Sequence, residues 1–202
     1  MAITNGYATL AEYKARHNLD HADQDDMLES IITTVSRLID GIRGERFFTT
    51  DSDETRYFSA EDTDLLFPPL KIVSITTLKT DNDNDGTYEY SWTEDTDFYL
   101  KPYNASLDGE PYRWIETAPN GSYSFPKGVK KGVEIAGKFG WSSAPSYISE
   151  ACYLGTARIM QRQNTPLGVS AAAALGQLQV QVDKLRNDPD FMSLVMVDQR
   201  RF

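Results

Sequence analysis

The spacing of apolar residues changes twice along this chain. It passes from a helical to an alternating period at about residue 47, and back to a helical one at about residue 143. The second change constrains the fold most. It lies in GVEIAGKFGWSSAPSYISEACYLGTARIMQR, residues 132–162. Val133, Ile135 and Phe139 alternate as in a strand, and Gly137 and Gly140 punctuate its end. Ser143 is placed to cap a helix whose first turn takes Pro145, where no backbone donor is needed. Ile148, Cys152, Gly155 and Ile159 then recur at helical spacing. A strand that runs directly into a helix closes an alternating stretch inserted between helices.

The flanking segments agree. Thr9 and Glu12 form a T-x-x-E capping pattern for a short helix to about His17. A second helix is expected from about Asp23 to Arg43. Its stripe is Leu28, Ile31, Ile32, Val35, Leu38, Ile39 and Ile42, and Gly44 stops it. Asp23, Asp25 and Asp26 fall in its first turn, where the helix dipole favours negative charge. Candidate strands follow at Thr55–Ser59, Ile72–Lys79, Tyr88–Trp92, Phe98–Lys101, Tyr112–Glu116 and Gly132–Phe139. Turn clusters at 81–86, 107–109 and 119–121 separate them, a pattern of a small antiparallel sandwich or barrel. Beyond Thr165 and Pro166, Leu178, Val180 and Val182 alternate with glutamines. This reads as a lone strand that needs a sheet elsewhere, on another subunit for example. A last short helix starts at Asp188–Pro189–Asp190 and places Phe191, Leu194 and Val195 on one side.

The expected fold class is therefore α+β. A helical core of three main helices plus a C-terminal helix (1–50 and 143–165) carries an inserted antiparallel β subdomain (51–142) and a C-terminal arm (166–202). The single cysteine, Cys152, lies on an apolar helix face and reads as a buried thiol. No apolar run approaches the roughly 20 residues of a membrane span. The first residues lack the basic and apolar regions of a signal peptide, so synthesis in a reducing cytoplasm is expected.

Net charge is −10 and unevenly spread. Residues 51–110 carry 15 acidic and 4 basic side chains, a net −11, whereas residues 111–202 carry 7 and 11, a net +4. A subunit with unlike regions can pair head to tail with copies of itself, and such contacts close into rings. Lys127, Lys130, Lys131 and Lys138 are the basic cluster and the expected inter-subunit residues.

Catalytic chemistry finds no motif. The two histidines, His17 and His21, stand near the end of the first helix with no nucleophile pattern in the chain, and no phosphate-binding glycine loop occurs. No catalytic residue and no cofactor is assigned. Asp81, Asp83 and Asp85 with Gly86 match the first half of a calcium loop, but position twelve is Trp92 where a bidentate glutamate is required. A hairpin turn is the favoured reading, with a loose cation site from the three carboxylates as the alternative. Trp92, Trp114 and Trp141 are assigned to core packing over a ligand platform.

The order of these segments resembles that of tailed-phage head–tail connector proteins, also called adaptor or head-completion proteins. The segments that carry the resemblance are ATLAEYKARHNL, SIITTVSRLIDGIRGERFF, TRYFSA, FPPLKIVSITTL, the stretch from Phe125 to Arg162, and LVMVDQRRF at the end. It implies a structural virion protein at the neck: a ring of about twelve subunits beneath the portal, offering a platform to a tail or tail-completion protein. Genomic DNA would pass without sequence-specific binding, and no membrane is involved. It also implies that the segment from about Leu185 to Phe202 reaches the portal, which makes Phe191, Leu194, Val195, Arg200, Arg201 and Phe202 the expected protein-binding residues. A tail-completion or tail-terminator subunit, or a soluble β-sandwich ligand-binding module, are the alternatives.

Overall fold

In a computed structural model the described residues are 2–163, 170–174, 177–181 and 185–197. The chain divides into a helical unit, Met1–Gly44 with Ala144–Phe202, and a β unit, Glu45–Ser143.

The helical unit is built on α2 (Asp25–Arg43). Its apolar stripe does what the spacing predicts: Leu28, Ile31, Ile32, Val35 and Ile39 are buried, whereas Leu38 and Ile42 at the edges are only half-buried. Each fully buried aliphatic side chain contributes about 1.5–3 kcal/mol. Gly44 ends the helix in the left-handed conformation, φ 70°, with its N–H on the Asp40 carbonyl. The helix begins two residues later than expected, and Gln24 at its start gives no side-chain cap. The expected cluster at its start is thereby reduced to Asp25 and Asp26 in the first turn.

The expected capping pattern opens α1 (Leu10–His17), with Thr9 accepting from the Glu12 N–H. The reciprocal half of the box is altered. The Thr9 N–H points to the Tyr153 hydroxyl at 3.2 Å, and that hydroxyl donates to Glu12. Tyr153 belongs to α3 (Ser146–Gln163), so the cap becomes a clasp between α1 and α3. Arg16 reinforces it, with both guanidinium Nη atoms on Glu150 at 2.7 and 2.6 Å and its Cζ 4.1 Å from the centre of the Tyr153 ring. The α3 helix starts at Ser146, later than expected. Pro145, not Ser143, occupies the cap position, and its carbonyl accepts from Ile148 and Ser149. Cys152 is fully buried beside Ser36, and burial pushes its thiol up to about 11. This is an inert packing thiol.

Two expectations for the C-terminal region are overturned. The strand expected to stand alone is β9 (Gln177–Gln181), and it pairs antiparallel with β8 (Ser170–Ala174) in a hairpin of the same chain. The alanine run is its partner, so no other subunit is required for pairing. Val182 lies outside the described residues. The last helix, α4 (Pro189–Val195), is capped by Asp188, which accepts from the N–H groups of Asp190 and Phe191. Phe191 and Val195 are fully buried within the helical unit, against an expectation of an exposed stripe awaiting a partner. The close approach depends on Gly155. A Cβ there would stand 2.8 Å from Val35 Cγ1, 3.1 Å from Phe191 Cε2 and 3.2 Å from Leu185 Cδ2.

The β unit is an antiparallel sandwich. One sheet contains β1 (Glu54–Phe58), β3 (Ile72–Thr80), β4 (Tyr90–Trp92) and β7 (Val133–Phe139), in the order β1-β7-β3-β4. The other contains β2 (Leu65–Leu66), β5 (Phe98–Lys101) and β6 (Trp114–Thr117), in the order β2-β6-β5. Inward residues of both sheets share one core, including Leu66, Ile72, Leu78, Phe98, Ile115, Ile135 and Phe139. Gly137 sits inside β7 and not at its end. Register shifts on β3 at Ile72/Ser74 and Ile75/Thr77 bring the Ser74 carbonyl against it, where no Cβ fits. This is the use of a strand glycine beside a bulge. Trp92 and Trp141 are buried; Trp92 stacks on Phe125 and donates to Thr80.

Candidate functional site

Three surface features carry the residues singled out by the sequence.

The acidic turn joins β3 to β4. Asp81 is buried and uses both carboxylate oxygens on the turn itself, accepting from the Asn84 N–H at 2.7 Å and the Gly86 N–H at 2.9 Å. Asn84 and Gly86 have positive φ, 64° and 89°, as a tight turn of these residue types requires. Burial raises the Asp81 carboxyl, but the backbone N–H groups of Gly86 and Asn84 outweigh it, so the net direction is downward. Asp85 turns away to cap the Thr87 N–H. The three carboxylates that converge are instead Asp81, Asp83 and Glu89, with ligand atoms all within 4.8 Å of one another. Glu89 was not singled out by the sequence. Its proximity comes from the chain folding back, which a linear loop pattern does not register. Because Asp81 is already committed to backbone donors, the cluster works first as a turn fastener.

The basic cluster lies on the loop before β7 and on β7 itself. Lys127, Lys130 and Lys131 are exposed and Lys138 is half-buried. The loop is held rigidly: Gly128 N–H to the Ala60 carbonyl, Lys131 N–H to the Ser59 hydroxyl, and the Tyr88 hydroxyl to the Lys131 carbonyl. None of the four ammonium groups enters an ion pair among the described residues. Lys127, Lys130 and Lys131 form a preformed cationic edge, whereas Lys138 stands apart toward the other end of β7, an interior strand of its sheet.

The third feature is the C-terminal segment. Of the residues expected to bind a protein, Phe191 and Val195 face inward, Leu194 is half-buried, and Arg200, Arg201 and Phe202 lie outside the described residues. Val197, which was not singled out, is about half exposed at 53%. Trp114, expected in the core, is only half-buried and joins an aromatic patch beside the β2-β6-β5 sheet that alternation does not mark, because Phe67 and Tyr103 lie outside the strands. There Phe67 pairs with Trp114, and Lys101 sits 3.4 Å over the Tyr103 ring. No helix among the described residues is long and apolar enough to cross a membrane. His17 rests against the Tyr13 ring at 4.5 Å.

No protein-family model matches the chain, and no curated protein matches it. Solved structures do. A chain from the virion of a native gene transfer agent particle superposes with a TM-score of 0.56 at 20% identity, over 98% of this chain and 91% of that one. A chain from the neck of an empty gene transfer agent particle, computed with C6 symmetry, superposes with a TM-score of 0.53 at 17% identity, over 87% and 86%. The likeness is one of fold.

Proposed function

We propose that this chain is a structural protein of a tailed-phage-like virion, a head–tail connector that forms a ring at the neck. It joins the portal to the tail and surrounds the channel through which genomic DNA leaves. The observation that carries this reading is fold likeness over nearly the whole chain, inserted β unit included, to chains of a gene transfer agent neck and virion. In this reading the protein is made in the host cytoplasm, ends in the virion neck, acts without enzymatic chemistry or a cofactor, and meets no membrane. A ring of about twelve copies is the expected stoichiometry.

The charge distribution supports it physically. A net −11 over residues 51–110, with a lysine edge at Lys127, Lys130 and Lys131 and Lys138 farther along β7, none of them in an ion pair among the described residues, suits head-to-tail contact between copies. An acidic subunit also suits a conduit, since a negative wall repels a duplex and keeps it from adhering. The portal-facing element is the end of the chain, Leu194 and Val197 with Arg200, Arg201 and Phe202 beyond them, while Phe191 and Val195 hold α4 in place.

The test is particle fractionation. A virion lacking the protein should yield filled heads and free tails, and the protein should be found at the neck in intact particles. Recovery only with free tails would move the assignment to a tail-completion subunit. The inter-subunit role has its own check: Lys130→Glu with Lys131→Glu should weaken ring formation at low salt, and added salt should narrow the difference from the parent. Unchanged assembly of the double variant would sink that role for the lysine edge.

A further inference from the structure

The exposed surface of α2 holds a glycine that no neighbour among the described residues explains. Gly41 lies within the helix, two residues from its end, and a Cβ built on it meets nothing within 4 Å. An interior helix glycine is less stable than alanine at the same place, and no neighbour among the described residues requires it. Beside it is an open hollow of about 280 Å³, lined by Gly41, Ile42, Met192 and Arg186. The hollow lies wholly within the helical unit. Arg186 is exposed and makes no ion pair among the described residues.

The β unit carries a matching projection. Leu107 is 85% exposed, the largest exposure among the described large apolar side chains. It stands on a loop shaped in advance by backbone hydrogen bonds, Leu107 N–H to the Asn104 carbonyl at 3.0 Å and Glu110 N–H to the Ala105 carbonyl at 2.8 Å. The next residue, Asp108, is exposed, and its carboxylate has no partner among the described residues.

We infer that Leu107 of one copy seats in the Gly41–Ile42–Met192 hollow of the next, with Asp108 against Arg186. Deleting one buried leucine side chain leaves a space on the order of 150 Å³, so the hollow has room for this one. Phe67, also exposed, is already partnered by Trp114 and has no adjacent acid to meet the arginine. A projection and a hollow at different places on one chain make a heterologous contact, which propagates from copy to copy. A knob ordered before binding loses little freedom on docking. This inference rests on the ring reading and names one of its contacts.

The experiment is the mass of the full-length protein across a concentration series, by sedimentation velocity or mass photometry. The parent should assemble. Leu107→Glu and Gly41→Leu should each raise the concentration needed for assembly by about tenfold or more. Asp108→Arg and Arg186→Asp should each weaken assembly, and the double exchange should recover it. Circular dichroism should show every variant folded, with Gly41→Leu melting no lower than the parent. If Leu107→Glu and Gly41→Leu assemble like the parent, this contact is wrong while the ring stands. If the parent is monomeric at every concentration, the ring reading fails and takes this contact with it.

Discussion

Gly155 on α3 faces the ring of Phe191 on α4 so closely that a single added methyl would stand 3.1 Å from Cε2. The same methyl would come within 2.8 Å of Val35 Cγ1 on α2. Three elements therefore meet where one side chain is missing. Gly41, on the opposite kind of surface, has open space in the same position. The substitution to alanine should change sign between the two sites. Gly41→Ala should stabilise by about 0.5–1 kcal/mol through helix propensity alone. Gly155→Ala gains the same propensity but overpacks the junction, a cost of about 1–3 kcal/mol, and should come out destabilised. Urea midpoints of the two variants decide it; a stabilised Gly155→Ala would mean that α4 is held elsewhere.

Burial of Phe191 changes what the C-terminal helix is for. Phe191→Ala should cost about 3–5 kcal/mol, as for other aromatics removed from a core. Removing residues from Asp188 onward should likewise loosen the helical unit. That helix is part of the core and not a detachable arm. Thermal melts by circular dichroism measure this; a truncated protein that melts like the parent would restore the arm reading.

Acid sensitivity should centre on Glu54. It accepts from Arg46, from Arg56 Nε at 2.9 Å and from the Thr50 hydroxyl at 3.0 Å. Burial raises its carboxyl, and the hydrogen bonds from Arg46, Arg56 and Thr50 outweigh that, leaving it below the ordinary 4.5. With the folded value below the unfolded one, the contribution is complete above 4.5 and is lost as pH falls through the lower folded value. Glu54→Gln should be less stable than the parent by about 1.5–3 kcal/mol near neutral pH. The gap should close on acidification. A gap that persists unchanged in acid would show that the charge is not what matters.

At the acidic turn the expected result is indifference to calcium. The parent and Asp83→Asn should show equal melting temperatures with and without millimolar calcium. Asp81→Ala should melt lower regardless of the ion, because two backbone N–H groups lose their acceptor. A calcium-dependent rise in the parent that Asp83→Asn abolishes would make Asp81, Asp83 and Glu89 a cation site.

Residues whose neighbours are close in sequence were legible; those positioned by distant chain were not. The α2 stripe, its Gly44 stop, the Asp188 cap and β5 follow from local spacing, and the sandwich follows from their alternation. The partner strand Ser170–Ala174 escaped because alanines carry no alternation to read. The inward turn of Phe191 depends on a missing Cβ 36 residues earlier, at Gly155, and Glu89 joins Asp81 only once the hairpin closes. The two-residue β2 is too short to leave any period. At the lysine edge the residues were legible, but their rigidity comes from Ser59, Ala60 and Tyr88, far off in sequence.

Phe47 and Trp141, at the two ends of the β unit, bring their rings to within 5.5 Å. The inserted sandwich thus begins and finishes at one spot, like a cassette on a single hinge pin. Lengthening or shortening what lies between those rings leaves the points of departure and return where they were. A lineage could exchange the whole β unit for another, or for a brief loop, without rerouting a helix, and so change what the insertion presents to a neighbour while the helical unit kept its own packing.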